Sequence, residues 1–178
     1  MPGCTGATSV IVHNHARWII TAGFLLVLAY AAWYVTGKER ILREGELILL
    51  DLVPVDPRSL LQGDYMQLRY AIGADIERDS LEGRGYLVYR RGPDSVATFV
   101  RLQATVKPLG DHEGVLLFRR RRAGAIRPNS MRVGPESYFF QEGRAGVFAG
   151  ARYGGLRVDE RGEVVLVGLY DGNRRLIR

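Results

Sequence analysis

The sequence predicts a mainly β protein, with a β-rich α+β arrangement as the neighbouring class. One N-terminal transmembrane helix precedes a single compact β domain of about seven to nine strands. Three observations carry this. Trp18 to Val35 contains no charged residue. The remaining chain breaks into short apolar runs divided by Gly, Pro and Asp turn signals. The last of these runs are spaced as a meander around Asp159-Glu160-Arg161-Gly162 and Asp171-Gly172-Asn173.

Composition sets the outer limits. The chain has 178 residues, 47% of them apolar, enough for an anchor and one domain with its own core. The single cysteine, Cys4, lies in the N-terminal tail, so the domain has no disulfide and no thiolate metal site. The net charge of +6 comes almost entirely from arginine, Lys38 and Lys107 being the only lysines. An excess this small permits contact with anionic lipid but lacks the concentrated stripe of a nucleic-acid binder, so nucleic acid is not an expected partner.

Residues 1–17 read as a disordered tail. His13 and His15 stand two apart there without a third ligand, so no metal is expected on them. The transmembrane helix spans residues 18–35. Eighteen residues rise about 27 Å, enough for a thin hydrocarbon core. Apolar residues surround every face, and Trp18, Trp33 and Tyr34 sit where an aromatic belt would be. A buried core helix and a cleaved signal peptide are the rivals. The run is long for a signal and ends in bulky aromatics, which favours a retained anchor. Residues 36–45 form a juxtamembrane linker, and the β-rich domain occupies 46–178. Lys and Arg counts on the two flanks favour the domain inside.

Glu46 to Val55 is the first strand-length apolar run, with Pro54 marking a bend. Asp56 and Pro57 open a turn, and Arg58 to Leu61 can make one helical turn. Gly63-Asp64 is a tight-turn pair. From Tyr65 the chain alternates: Met66, Leu68, Tyr70 and Ile72 face one way, Tyr65, Gln67 and Arg69 the other. Tyr70 is thus expected in the core beside Met66 and Leu68, with Tyr65 at the surface or in a second layer.

Gly63-Asp64-Tyr65-x-x-Leu68-x-Tyr70 reproduces, letter for letter, the motif of the GDYXXLXY-domain proteins, and the lead-in Pro54 to Gln62 is similar to that family's entry segment. The resemblance implies a membrane-anchored bacterial protein with a short tail inside and the domain outside, the opposite of the charge count. It also implies a polytopic membrane protein as partner. Asp56, Pro57, Gly63, Asp64, Tyr65, Leu68 and Tyr70 are then the motif residues, structural or partner-binding.

Ala74 to Arg84 reads as irregular or a short helix. Tyr86–Arg90 and Val96–Val106 read as a hairpin around Arg91-Gly92-Pro93-Asp94. Val115–Phe118 and Ser130–Val133 are further strands. Pro135 to Gly143 opens with a turn and becomes aromatic, and residues 144–154 read as a helix weakened by Gly146 and Gly150. Leu156–Val158, Glu163–Tyr170 and Arg174–Ile177 close the chain as three strands.

No constellation for catalysis or cofactor binding stands out. His112, between Asp111 and Glu113, is the one histidine of the domain and reads as a solvated loop residue. Phosphate loops, dinucleotide-binding glycines and Gly-x-Ser-x-Gly are absent, and no cofactor is expected. The enzyme alternative is a membrane-anchored Ser/Lys peptidase, in which Ser59 and Lys107 are the sole candidates; its base would be a desolvated lysine. The second alternative is an anionic-surface binder. Arg119, Arg120, Arg121, Arg122, Arg127 and Arg132 crowd one window and suit lipid phosphates at roughly 1 kcal/mol per contact. The favoured reading is a non-enzymatic, membrane-anchored accessory protein that binds or supports a polytopic membrane protein.

Overall fold

A computed structural model describes the main chain of residues 7–53, 65–73, 83–120 and 131–178, with side chains from Arg17 onward in these segments except that of Arg120. Asp56, Pro57, Ser59, Gly63, Asp64, Arg121, Arg122 and Arg127 lie outside the described residues, as do the expected turn at 56–61 and residues 1–6 of the tail. The chain divides into two compact units, Met1–Arg40 and Ile41–Arg178.

Helix α1 runs from Ala7 to Glu44. It therefore takes in residues 7–17, expected as disordered, and most of the linker expected at 36–45. Neither Gly nor Pro occurs between Ala7 and Gly23 to halt it early. Its end is closed by the Gly45 N–H, which donates to the Ile41 carbonyl at 2.9 Å. The stretch Arg17–Glu44 is long and apolar enough to cross a membrane. Its apolar side chains are uncovered, with Trp18 75% and Trp33 72% exposed.

The second unit is β-rich. A three-stranded antiparallel sheet has the order β1 (Glu46–Asp51), β8 (Tyr153–Val158), β9 (Val164–Tyr170). A four-stranded sheet has the order β4 (Ala97–Gln103), β3 (Arg84–Arg91), β5 (Glu113–Arg120), β6 (Met131–Arg132). These two sheets share one core, built from Ile48 and Leu50 of β1, Leu87 and Tyr89 of β3, Leu116 and Phe118 of β5, and Leu156 and Val158 of β8. Alternation explains the sharing, since inward residues recur at every second position. The sheets are also joined by hydrogen bonds. Leu49 N–H donates to Ser95 O beside a parallel bridge to Val96, and Leu117 N–H donates to Gly162 O in the β8–β9 turn, both at 2.8 Å.

A third, two-stranded sheet pairs β2 (Tyr65–Gln67) with β7 (Ser137–Phe139). A second core cluster lies beside it: Leu68, Phe148 and Leu169, with Met66, Tyr70, Tyr138 and Phe140 against them.

The hairpin around residues 91–94 forms as β3–β4, with a bulge at Val88/Tyr89. Three expectations are corrected. The strand from Tyr65 stops at Gln67; beyond Leu68 the chain leaves β7, Arg69 O accepting from Val53 N–H and Tyr70 bridging Leu52, and a 3-10 turn at Ala71–Gly73 follows. The helix expected over 144–154 is the single turn α2, Ala145–Phe148, after which β8 begins at Tyr153. Residues 174–177 form an isolated bridge, Tyr170 to Leu176, rather than a strand. Asp171 holds that end as a turn, accepting from the Asn173 and Arg175 N–H groups at 2.8 Å.

Candidate functional site: the motif strand and its clasp

Of the motif, the described residues are Tyr65, Leu68 and Tyr70, and each has a separate task. Leu68 is 3% exposed in the second core cluster. Its N–H donates to the Glu136 carbonyl at 2.8 Å, extending the β2–β7 pairing by one residue. Tyr70 joins the two clusters, packing against both. Its ring lies against Gly134 and Gly154, where an added Cβ would come within 3.5 and 3.0 Å of it. Glycine at 154 lets strand β8 approach the ring closely, whereas at 134 the distance is an ordinary van der Waals contact. The Tyr70 hydroxyl donates to the Pro135 carbonyl at 2.9 Å. Burial, and then the nearby Glu136 carboxylate, push its pKa above the ordinary tyrosine value. It is a fixed donor at neutral pH, unsuited to act as base or nucleophile.

Residues 134–139 thus clasp the motif strand from end to end. Gly134 and Pro135 hold Tyr70, Glu136 holds Leu68, and Ser137, Tyr138 and Phe139 pair with Gln67, Met66 and Tyr65. Glu136 is itself held by Arg132, at 2.6 Å.

Tyr65 faces the other way, as expected, and is half-buried. It is paired across the strands with Phe139, their ring centroids 5.8 Å apart. Phe139 is 77% exposed. A phenylalanine this open is held in place by its strand pairing and by one aromatic neighbour. Tyr138, on the opposite face, packs edge-on against Phe148 at 5.3 Å. The sheet therefore presents aromatics on both faces, one face covered and one open.

The remaining candidates separate from this site. Arg119 and Arg132 face each other across β5 and β6. His112 is exposed, at a left-handed main-chain angle of 60°, beside a shallow depression formed with Arg91, Gly92, Pro93 and Ser95. Its neighbour Glu113 turns inward, where Arg101 reaches it at 2.9 Å, Arg90 at 3.7 Å and the Gly110 N–H at 2.9 Å. Among the described residues no three His, Cys, Asp or Glu side chains converge as a metal site. Lys107 is exposed.

Sequence reading missed Glu136, Gly134, Gly154 and Phe139 as members of this site. The aromatic stretch after Pro135 was visible, but its pairing with a strand about 70 positions earlier leaves no local signal. No curated protein and no solved structure matches the chain. The family model for the GDYXXLXY protein matches residues 27–169, from within α1 to the penultimate residue of β9. That match covers most of the chain and includes every motif position and the whole of the clasp: the chain belongs to the GDYXXLXY protein family.

Proposed function

We propose that this is a non-enzymatic, single-pass membrane protein whose outward domain binds or supports a polytopic membrane protein, with the open aromatic pair Tyr65–Phe139 at the contact. The observation that carries the reading is Phe139, 77% exposed on a strand paired with the motif strand. Aromatic anchors on a preorganised strand are favoured contact residues, because little side-chain freedom is lost on docking. The long apolar helix supports the membrane setting. Family membership is consistent with a domain built around the motif.

The peptidase alternative draws no support from Lys107. Lys107 is exposed, whereas a lysine base needs a desolvating pocket.

The test is co-purification from native membranes with Phe139→Ala, and with Phe99→Ala as a control at another open aromatic, 42% exposed. The reading requires that a polytopic protein accompany the wild type and Phe99→Ala and be lost with Phe139→Ala. Equal recovery with all three would remove Phe139 from the contact.

A further inference from the structure

The register of the four-stranded sheet sets three arginines side by side. Arg84 of β3 is the direct partner of Arg119 of β5, and Arg119 is the direct partner of Arg132 of β6. Directly opposite residues in antiparallel strands project to the same face, so the three form a row about 10 Å long across three strands. All three are exposed. Glu136 neutralises Arg132 at 2.6 Å, while among the described residues Arg84 and Arg119 have no acidic partner.

Like charges directly opposite one another destabilise a strand pair. The same face of the same two strands shows the stabilising arrangement at its other end, where Arg90 faces Glu113 and Arg101 joins them. At this end of the sheet, then, three guanidinium groups stand together with, among the described residues, the single carboxylate of Glu136. After β5 the sequence adds Arg121, Arg122 and Arg127 before β6 is reached.

The geometry points to an anion-binding row, Arg84–Arg119–Arg132, whose ligand is the phosphate-bearing surface of an anionic lipid leaflet. Charge complementarity selects phosphate, since each cationic side chain adds to the attraction toward a phosphate-bearing anionic leaflet. The form of the site selects a surface. These side chains are exposed and stand in a line at one end of a sheet face whose centre, at Val88 and Val115, is buried; an exposed line matches a planar array of headgroups, whereas a small free anion is held by donors converging in a recess. The inference is independent of the partner reading and stands if that reading fails.

The test uses the full chain, its helix held in a nanodisc of phosphatidylcholine, presented with separate vesicles. Recovery with floated vesicles is the readout. Vesicles containing phosphatidylglycerol should capture the nanodisc, vesicles of phosphatidylcholine alone should not, and added salt should release it. R84E/R119E should weaken capture about tenfold or more, and R84K/R119K should retain it. R152E/R175E makes the same change in net charge at two exposed arginines elsewhere and should retain capture. The lysine variant keeps the comparison decisive should the charge reversal fail to fold. Equal loss with R152E/R175E would overturn the row in favour of net charge alone. So would failure of phosphatidylglycerol to capture the wild type, or capture that transfers to a single-stranded oligonucleotide in preference to lipid. Displacement by inorganic phosphate, at an ionic strength where chloride has no effect, would overturn the surface in favour of a discrete small-anion site.

Discussion

The Tyr70 hydroxyl donates a hydrogen bond to the main-chain oxygen of Pro135, 65 positions further along the chain. Tyr70 ends the motif and Pro135 lies near the start of the clasp, so this bond locks together two segments that share only short strands. Tyr70→Phe keeps the ring between Gly134 and Gly154 but leaves the Pro135 carbonyl without its donor. A loss of about 1–3 kcal/mol is expected, read as a lower Tm in detergent. Tyr65→Phe removes a hydroxyl from the open face and should change stability by about 0.5 kcal/mol or less. Equal losses from both would show that the Tyr70 bond has no special weight.

Close approach at glycine separates two further substitutions. Gly114 of β5 sits under the ring of its cross-strand partner Tyr89, which is 2% exposed, and an added Cβ would collide with that ring. The ring has no room to yield. Burial, then the Glu46 carboxylate to which it is hydrogen-bonded, raises its pKa, and Glu46 also holds Arg91 at 2.9 Å. Gly114→Ala should destabilise by about 1–3 kcal/mol through overpacking. At Gly146 in α2 a Cβ meets nothing within 4 Å. Gly146→Ala should be neutral or stabilising, by up to about 1 kcal/mol. Chemical denaturation of the two variants side by side checks the contrast.

Glu113 gives the fold a signature in acid. The Gly110 N–H holds its carboxyl below the ordinary carboxylate range, against the opposing effect of burial, and Arg101 and Arg90 add to the lowering. A group whose pKa is lower in the folded than in the unfolded chain stabilises the fold above its unfolded value, and the contribution is lost as pH falls through the folded value. Glu113→Gln should therefore lower Tm at neutral pH, with the gap to wild type closing as pH drops below the usual carboxylate value. A gap independent of pH would mean that the ionised carboxylate is not what holds the 104–112 loop.

Orientation has its own test through the single native cysteine. Ala149 is exposed, at an ordinary helical main-chain angle of −59°, and accepts substitution. With a membrane-impermeant maleimide on intact cells, a variant lacking Cys4 and carrying Ala149→Cys should label while Cys4 in the wild type should not. The reverse pattern would place the domain inside, as the Lys and Arg count suggests.

What the sequence disclosed follows from the range over which each signal acts. The β3–β4 hairpin was legible because Gly92-Pro93-Asp94 sets the turn locally and the flanking residues alternate. Alternation also placed Tyr70 with Met66 and Leu68, and that packing holds even though the strand stops at Gln67. Its early end goes with the bridge from Tyr70 to Leu52, a contact that no residue near Tyr65 records. The same is true of the arginines: 119 and 132 were visible as a run, but Arg84 joins them only through the β3–β5 register. The stretch Arg174–Ile177 looks like a strand by composition. The turn held by Asp171 leaves it one bridge instead.

The most direct measurement is site-specific crosslinking from position 139 in native membranes, with a photoreactive side chain in place of Phe139 and, separately, of Phe99. The expected result is one discrete adduct from position 139, with a multi-spanning protein that resists alkaline extraction, and none from position 99. No adduct from position 139, or the same adducts from both positions, would contradict a partner docked on the open aromatic pair.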